Sequence, residues 1–231
     1  ETPEDVKTAI QNAIGGNASN QPSPGSPEAD EEEKKRKAIE AKLRTYYARI
    51  LFFSFLTKDK VRSIGDVLTV IDKAENKRIA RNTGVTKKVL KEMLKVFSKQ
   101  VISDLDYKIE NMSDLSEDNS VDPLERARTM LKKFDRFGPS EIVTPERIAD
   151  DMVALLPDDE FRRILESEKC FLDIAGKMGE FAIAIYKRAK SLCPDIDLSR
   201  RIYTIPTSGH AYEFTRKVYE ALGLDPKNIA T

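Results

Sequence analysis

The 231-residue sequence lacks tryptophan and contains only one histidine and two cysteines. Cys170 and Cys193 have no third or fourth ligand near them in the sequence, so they do not indicate a zinc site. Cys170 falls in an apolar segment and is expected to be buried. His210 has no nucleophile beside it and is assigned no catalytic role. We find no signal peptide and no long apolar segment, which predicts a protein of the reducing cytoplasm with no membrane partner.

The formal net charge is zero, but the charges are unevenly distributed along the chain. Residues 34–108 contain 20 lysines and arginines against 8 acids, whereas residues 1–33 contain 1 against 8. Residues 109–231 are nearly balanced, with 18 basic against 23 acidic residues. A basic block beside a near-neutral one indicates contact with a polyanion. The alternative is a lysine-rich helical surface that is only solvated.

Residues 1–33 are poor in apolar groups, and glycine, proline and serine dominate between 15 and 27. Such a segment does not bury enough surface to offset its ordering entropy. We therefore expect residues 1–33 to be a flexible linker, with a short helix at 3–14 that ends a preceding domain. The chain does not begin with methionine, and both of its ends are expected to be boundaries within a longer protein.

Residues 34–135 show helical spacing of apolar residues, and strand signals are absent before about residue 165. These residues are predicted to form a helical spacer domain, a bundle of about four or five helices joined by short turns. Tyrosines and phenylalanines between 46 and 55 are expected to form core rather than to stack on bases. Asn111–Asn119 is interpreted as a polar break. The predicted helices cover residues 34–55, 60–72, 75–82, 86–103 and 122–134.

Residues 78–90 resemble a helix-turn-helix. Ala80, Gly84 and Leu90 stand where that motif has a small residue, a turn residue and an apolar core residue. The second helix would present a row of lysines to DNA, namely Lys87, Lys88 and Lys91. The alternative is an ordinary helical hairpin that does not contact DNA.

A short apolar segment ends at Asp173 and is followed by a turn that contains Gly176 and Gly179. A helical pattern begins near Phe181. Strand, acidic tip, tight turn and helix are the parts of a site for a nucleoside-type cofactor. Glycine allows the backbone to approach a ligand closely, and the start of a helix offers free N–H groups.

The flanking segments extend this pattern. Residues 201–205 are predicted to form a second strand and residues 210–222 a second helix, which completes a βαβα unit. Upstream, Thr144 is expected to cap a helix that has Pro145 at its first position. Apolar residues then recur at helical spacing, namely Ile148, Met152, Val153 and Leu156.

These segments together resemble the S-adenosylmethionine-dependent N6-adenine DNA methyltransferases, with a motif order like that of the gamma class. Motif I of the family reads roughly Asp-Pro-Ala-Cys-Gly-Ser-Gly-Asn-Phe, and the matching residues are Asp173, Ala175, Gly179 and Phe181. Thr144, Pro145 and the helix after them are similar to motif X, which lines the cofactor pocket. The resemblance implies an α-helical bundle followed by a partial α/β Rossmann-like methyltransferase unit at residues 136–231.

The resemblance further implies that this unit is the N-terminal part of a domain that binds S-adenosylmethionine in the intact protein. Asp173 would lie near the methionine moiety, and Phe181 would pack the helix onto the sheet. Gly176 and Gly179 would allow close backbone approach. The implied cofactor-binding residues are Thr144, Pro145, Asp173, Ala175, Gly176, Gly179 and Phe181.

The catalytic motif of the family, Asp/Asn/Ser-Pro-Pro-Tyr/Phe, is missing, because the sequence contains no Pro-Pro pair. The chain is therefore not expected to transfer a methyl group alone, and no catalytic residue is assigned. A helical spacer before an adenine-type methyltransferase is similar in layout to large bacterial restriction–modification polypeptides. The implied partners are DNA and the remaining domains of the polypeptide, with helicase and nuclease upstream and catalytic and target-recognition parts downstream.

Two departures from the family pattern favour an alternative. Lys177 stands at a glycine position of motif I, and Pro206–Gly209 at the tip of the second strand lacks the acid that holds the ribose, with Glu213 the nearest substitute. The chain would then be a non-catalytic helical DNA-binding or interaction module with a degenerate methyltransferase-like fold. A nicotinamide or nucleotide fold is a third interpretation, for which Gly-x-Gly-x-x-Gly and the phosphate-binding lysine motif are missing.

Overall fold

The fold is described by a computed structural model that covers residue 34 and residues 45–117, 120–134 and 143–230. The predicted linker at 1–33 and most of the first part of the predicted 34–55 helix lie outside these residues. The chain divides into two compact units after Glu117. The described residues are mostly helical, with one small parallel sheet of two strands in the second unit.

The described part of the first unit is helical. Its helices are α1 (residues 45–56), α2 (Ile64–Val70), α3 (Ala74–Thr83), α4 (Lys87–Val96) and α5 (Lys99–Glu117). The aromatic residues of α1 are buried as predicted, and those at most 1% exposed are Tyr46, Phe52, Phe53 and Phe55. Burial of these large rings places α1 in the apolar core of the described part of this unit.

Helices α3 and α4 are joined by a tight turn at residues 84–86. Gly84 has φ 69°, and its N–H donates to the carbonyls of Ala80 and Arg81 at the end of α3. A residue with a Cβ is strained at that φ, which explains the glycine. Thr86 then caps α4, since its side chain accepts a hydrogen bond from the amide of Val89. Two helices joined by a turn at Gly84 agree with both predictions, the helix-turn-helix and the ordinary helical hairpin.

The predicted helix at 86–103 is wrong, because it is divided between α4 and α5. Phe97 has an extended ψ of 137°, which ends α4. The predicted polar break at Asn111–Asn119 is also wrong in its described part, since α5 continues to Glu117.

Two polar residues of α5 accept hydrogen bonds from amides of a distant segment. The Ser113 hydroxyl accepts a hydrogen bond from the amide of Val61 at 3.2 Å, and an Asp106 oxygen accepts one from the amide of Ile64 at 2.8 Å. These contacts give acceptors to an amide before α2 and to the amide of its first residue, which has no partner within the helix. From the sequence alone these residues are only polar, and their distant partners are not visible.

The second unit combines helices with the sheet. Its elements are α6 (Pro123–Phe134), α7 (Glu146–Ala154), α8 (Asp158–Glu166), β1 (Phe171–Gly176), α9 (Glu180–Leu192), β2 (Ile202–Pro206), α10 (Gly209–Leu222) and a 3-10 turn (Pro226–Asn228). Helix α6 packs on α9 and α10 and so lies in the second unit, whereas the sequence placed it in the spacer at 34–135. Helix α8 has no counterpart among the predicted helices.

The two strands are parallel, with Asp173 opposite Thr204. A further parallel bridge joins Thr204 to Ile229 at the other edge of β2. Helices α9 and α10 both contact the sheet. Alternate apolar side chains of the strands are exposed on the opposite face, namely Leu172, Ile174, Tyr203 and Ile205. The strand–helix–strand–helix order agrees with the predicted βαβα unit.

Two local expectations are wrong in this unit. Thr144 does not cap α7, because Pro145 occupies the cap position with φ −55° and ψ 140°, and the helix begins at Glu146. Cys170 is exposed rather than buried, because it precedes β1 instead of lying within it.

Candidate functional site

The candidate site lies where β1 passes into α9 through a turn at residues 177–179. Ala175 has φ 70° and coincides with an irregularity in the strand pairing between Ile174 and Gly176. Gly179 has φ 80° and stands at the cap position of α9. The carbonyl of Gly176 accepts a hydrogen bond from the amide of Thr207 at 3.0 Å, which joins the turn to the end of β2. Two left-handed residues thus redirect the chain from strand to helix within a few residues.

Gly176 is required by packing inside the protein. A Cβ built on it would lie 2.4 Å from Cγ2 of Thr204 and 2.6 Å from Oδ2 of Asp173. Gly179 is also close to a neighbour, since its Cβ would lie 3.2 Å from Cγ1 of Val218. The expected close approach to these glycines is therefore made at least in part by side chains of the protein itself.

Asp173 is the half-buried acid of the site. Its Oδ2 is buried and accepts no hydrogen bond from the residues that the structure describes. Burial, together with the nearby charge of Glu180, raises the pKa of Asp173 to about 6. The carboxyl group thus holds an oxygen that a donor or a cationic group would satisfy.

Glu180 is the second acid and the first residue of α9. It is only 3% exposed. One carboxylate oxygen accepts a hydrogen bond from the amide of Met178 at 2.8 Å, and the other accepts one from the amide of Thr144 at 3.4 Å. The resemblance gave no reason to select Glu180, because this position does not match the family pattern. An acid at the first position of a helix was the available signal.

Thr144 and Pro145 are brought to this turn through Glu180. Helix α7, which follows them, packs on α9. An ion pair between Asp150 and Lys187, with the nitrogen and oxygen 2.6 Å apart, joins the same two helices further along. The structure therefore places Thr144 and Pro145 beside the turn at 177–179.

The end of β2 provides hydroxyl groups and no carboxylate among residues 206–209. The Ser208 hydroxyl caps α10 by accepting a hydrogen bond from the amide of Ala211 at 3.1 Å. Thr207 is exposed. Glu213, the nearest acid along the chain, is 2% exposed within α10. The folded unit therefore has no carboxylate among residues 206–209, where the family pattern has an acid.

A pair of buried hydroxyl groups lies between the sheet and α10. The hydroxyl oxygens of Thr204 and Tyr219 are 2.9 Å apart. Burial, with a smaller effect of the Asp173 charge, raises the pKa of Tyr219 to about 12. These two residues connect β2 with α10, and no sequence motif singled them out.

The remaining predicted cofactor residues are less enclosed. Ala175 is exposed, and Phe181 is partly buried in the first turn of α9. The structure thus gathers Thr144, Asp173, Gly176 and Gly179 around Glu180, with Pro145 next to Thr144.

The three predicted DNA-binding lysines lie on α4 in the first unit. Lys88 and Lys91 are exposed. Lys87 pairs with Asp72, its nitrogen 2.7 Å from the carboxylate oxygen. Exposed lysines such as Lys88 and Lys91 are candidates for phosphate contacts.

Within the part of the chain that the structure describes, no group of three or more histidine, cysteine or acidic side chains is arranged to hold a metal ion. In the same part, no helix has both the length and the apolar character needed to cross a membrane. Comparison with family models, curated proteins and solved structures finds no match to this chain.

Proposed function

We propose that the second unit is part of the S-adenosylmethionine-binding half of an N6-adenine DNA methyltransferase in a bacterial restriction–modification protein. The observation that supports this most is the buried Oδ2 of Asp173, which lacks a donor among the described residues. A buried acidic oxygen is costly unless something pairs with it. S-adenosylmethionine carries a positively charged amino group and a sulfonium centre, and the charge of either would offset that of the half-buried Asp173 carboxylate.

The chain's own residues would hold the methionine half of the cofactor. Asp173 would bind the cationic group, and the amides at the start of α9 near Gly179 would lie beside it. Thr144 and Pro145 would form the facing wall. When bound, the cofactor supplies a methyl group activated by attachment to sulfur.

The ribose of the cofactor would be bound differently than in the family, because the tip of β2 lacks the family's acid. Thr207 is exposed there and offers a hydroxyl, while its amide already donates to the carbonyl of Gly176. Ribose recognition by hydroxyls gives weaker, uncharged hydrogen bonds than recognition by a carboxylate. We therefore propose moderate affinity for the cofactor, with methyl transfer dependent on a Pro-Pro motif elsewhere in the intact protein.

Calorimetric titration of S-adenosylmethionine into the chain tests this proposal. We expect saturable binding, and binding weaker by about tenfold or more in Asp173→Asn, which keeps the shape of the side chain and removes its charge. Asp195→Asn changes an exposed acid after α9 and should bind like the unmodified chain. Absence of binding by the unmodified chain would exclude cofactor recognition by these residues.

The competing proposal is a non-catalytic helical module that binds DNA, with a degenerate methyltransferase-like second unit. It is supported by the packing around Gly176, where Thr204 and Asp173 already occupy the available space. The exposed lysines of α4 are consistent with either proposal. Binding of duplex DNA without any binding of S-adenosylmethionine would favour the module.

A further inference from the structure

We propose that Glu180 is a positioning residue that fastens the segment 143–145 to the turn at 177–179 and so fixes the two walls of the cofactor site. The inference rests on the proposed function for its binding consequence, but the contact itself is a property of the folded chain. Glu180 is not among the residues that the family resemblance selects.

The geometry of the carboxylate is the first support. Its two oxygens accept hydrogen bonds from different segments, one from Met178 at 2.8 Å and the other from Thr144 at 3.4 Å. Met178 is two residues before Glu180, so that contact closes the turn locally. Thr144 is 36 positions away, so the second contact joins two elements that the chain does not otherwise connect here.

The position of Thr144 is the second support. Pro145 follows it and has no N–H, and α7 begins at Glu146. The amide of Thr144 is therefore the last backbone donor before the helix, and it points to Glu180. Fixing this amide fixes where α7 begins relative to the turn.

The cost of burying Glu180 is the third support. The residue is 3% exposed, and among the described residues only the two amides donate hydrogen bonds to its carboxylate. Burial of a charge held only by amides is expensive compared with an apolar residue of similar size. Its negative charge also disfavours ionisation of Asp173 next to it. A residue that only filled space at the start of α9 would carry no buried charge and would not affect the ionisation of Asp173.

The test compares Glu180→Gln with Asp150→Asn in the whole chain. Glutamine replaces one of the two acceptor oxygens with an NH2 donor, so one of the two amides loses its acceptor. Asp150→Asn weakens the ion pair with Lys187, which joins the same two helices away from the turn. It is therefore the matched control for a general loosening of α7 against α9.

The first measurement is amide hydrogen exchange by NMR, which needs no ligand. We expect exchange at Thr144 to become about tenfold faster or more in Glu180→Gln and to stay unchanged in Asp150→Asn. Glu180→Asp shortens the side chain by one methylene and should release Thr144 while keeping Met178, which provides a second variant if the glutamine chain folds poorly. Unchanged exchange at Thr144 in both Glu180 variants overturns the proposal.

The second measurement is calorimetric titration of S-adenosylmethionine. We expect binding weaker by about tenfold in Glu180→Gln and within twofold of the unmodified chain in Asp150→Asn. Equal affinity in Glu180→Gln and the unmodified chain overturns the positioning role. If the unmodified chain itself does not bind, the proposed function fails, and exchange at Thr144 alone decides whether Glu180 fastens the two segments.

Discussion

The hydroxyl oxygen of Tyr46 lies 2.9 Å from the amide nitrogen of Thr86, from which it accepts a hydrogen bond across 40 positions of the sequence. The same hydroxyl donates to the carbonyl of Thr86 at 3.4 Å. Burial raises the pKa of Tyr46, so the hydroxyl stays neutral and can serve as donor. Helix α1 thereby holds the cap residue of α4.

Tyr46→Phe should lower the stability of the first unit. The substitution leaves the amide of Thr86 without its acceptor in a partly buried place, at a cost of about 1–2 kcal/mol. Urea unfolding followed by circular dichroism measures the change. Tyr107→Phe, at a side chain that is 67% exposed on α5, is the control and should leave the midpoint unchanged. Equal midpoints for both variants would contradict the role of this contact.

Gly176→Ala should destabilise the second unit because its methyl group would overlap Cγ2 of Thr204. Overpacking of this kind costs about 1–3 kcal/mol. Gly65→Ala is the control, since a Cβ there would meet only the hydroxyl of Ser63, at 3.4 Å. Thermal unfolding of the two variants measures the difference.

A double variant tests whether contact with Thr204 causes the loss of stability in Gly176→Ala. Thr204→Ser removes Cγ2 and keeps the hydroxyl that contacts Tyr219. Combining it with Gly176→Ala should recover part of the loss, and the coupling between the two positions should be favourable in a double-mutant cycle. Additive effects would show that the loss comes from Asp173 or from the backbone.

Asp173→Asn should stabilise the chain at neutral pH and not at acidic pH. The folded-state pKa of about 6 lies above the usual value of an aspartate, so the folded state binds a proton more tightly than the unfolded state. The contribution of Asp173 to stability is therefore greatest below the unfolded-state pKa of about 4, and this contribution falls as the pH rises through 6. Asparagine removes this loss.

Thermal unfolding between pH 4 and pH 8 checks this prediction. The midpoint difference between Asp173→Asn and the unmodified chain should be small at about pH 4 and reach a plateau above about pH 7. A difference that does not vary with pH would assign the effect to shape rather than to charge. The same variant is expected to bind S-adenosylmethionine more weakly, so stability and binding should change in opposite directions.

Lys88→Ala and Lys91→Ala should weaken binding of duplex DNA by the chain if α4 contacts phosphates. Each lost phosphate contact should lower the magnitude of the slope of log K against log salt by about 0.9. Fluorescence anisotropy at several salt concentrations measures the slope. Lys227→Ala, an exposed lysine of the second unit, is the control. An unchanged slope in both α4 variants would favour an ordinary helical hairpin.

Several elements could be predicted from local sequence. The helix–turn–helix at Gly84 follows from a glycine that can adopt φ 69°. The start of α6 follows from Asp122, whose side chain accepts from the amides of Leu124 and Glu125, and from Pro123 at the first helical position. These features depend on backbone preferences of a few neighbouring residues, so a pattern of residue types is sufficient to find them.

The length of α5 and the placement of α6 could not be predicted from local sequence. Helix α5 continues through a polar segment because Ser113 and Asp106 accept hydrogen bonds from amides more than 40 positions away. Helix α6 belongs with the second unit because of its packing on α9 and α10. Each of these depends on which distant segment lies beside the residue.

Part of the candidate site could also be predicted from local sequence, and part could not. Residue types and their spacing are enough to indicate a strand, a glycine turn and a helix at 171–192, because periodicity and glycine conformation act along the local chain. The contact of Glu180 with Thr144, the orphaned oxygen of Asp173 and the crowding of Gly176 by Thr204 come from the folded unit alone. Hydrogen bonds between distant segments and the loss of water around a charge depend on the distances between chain segments in space, and no local pattern contains those distances.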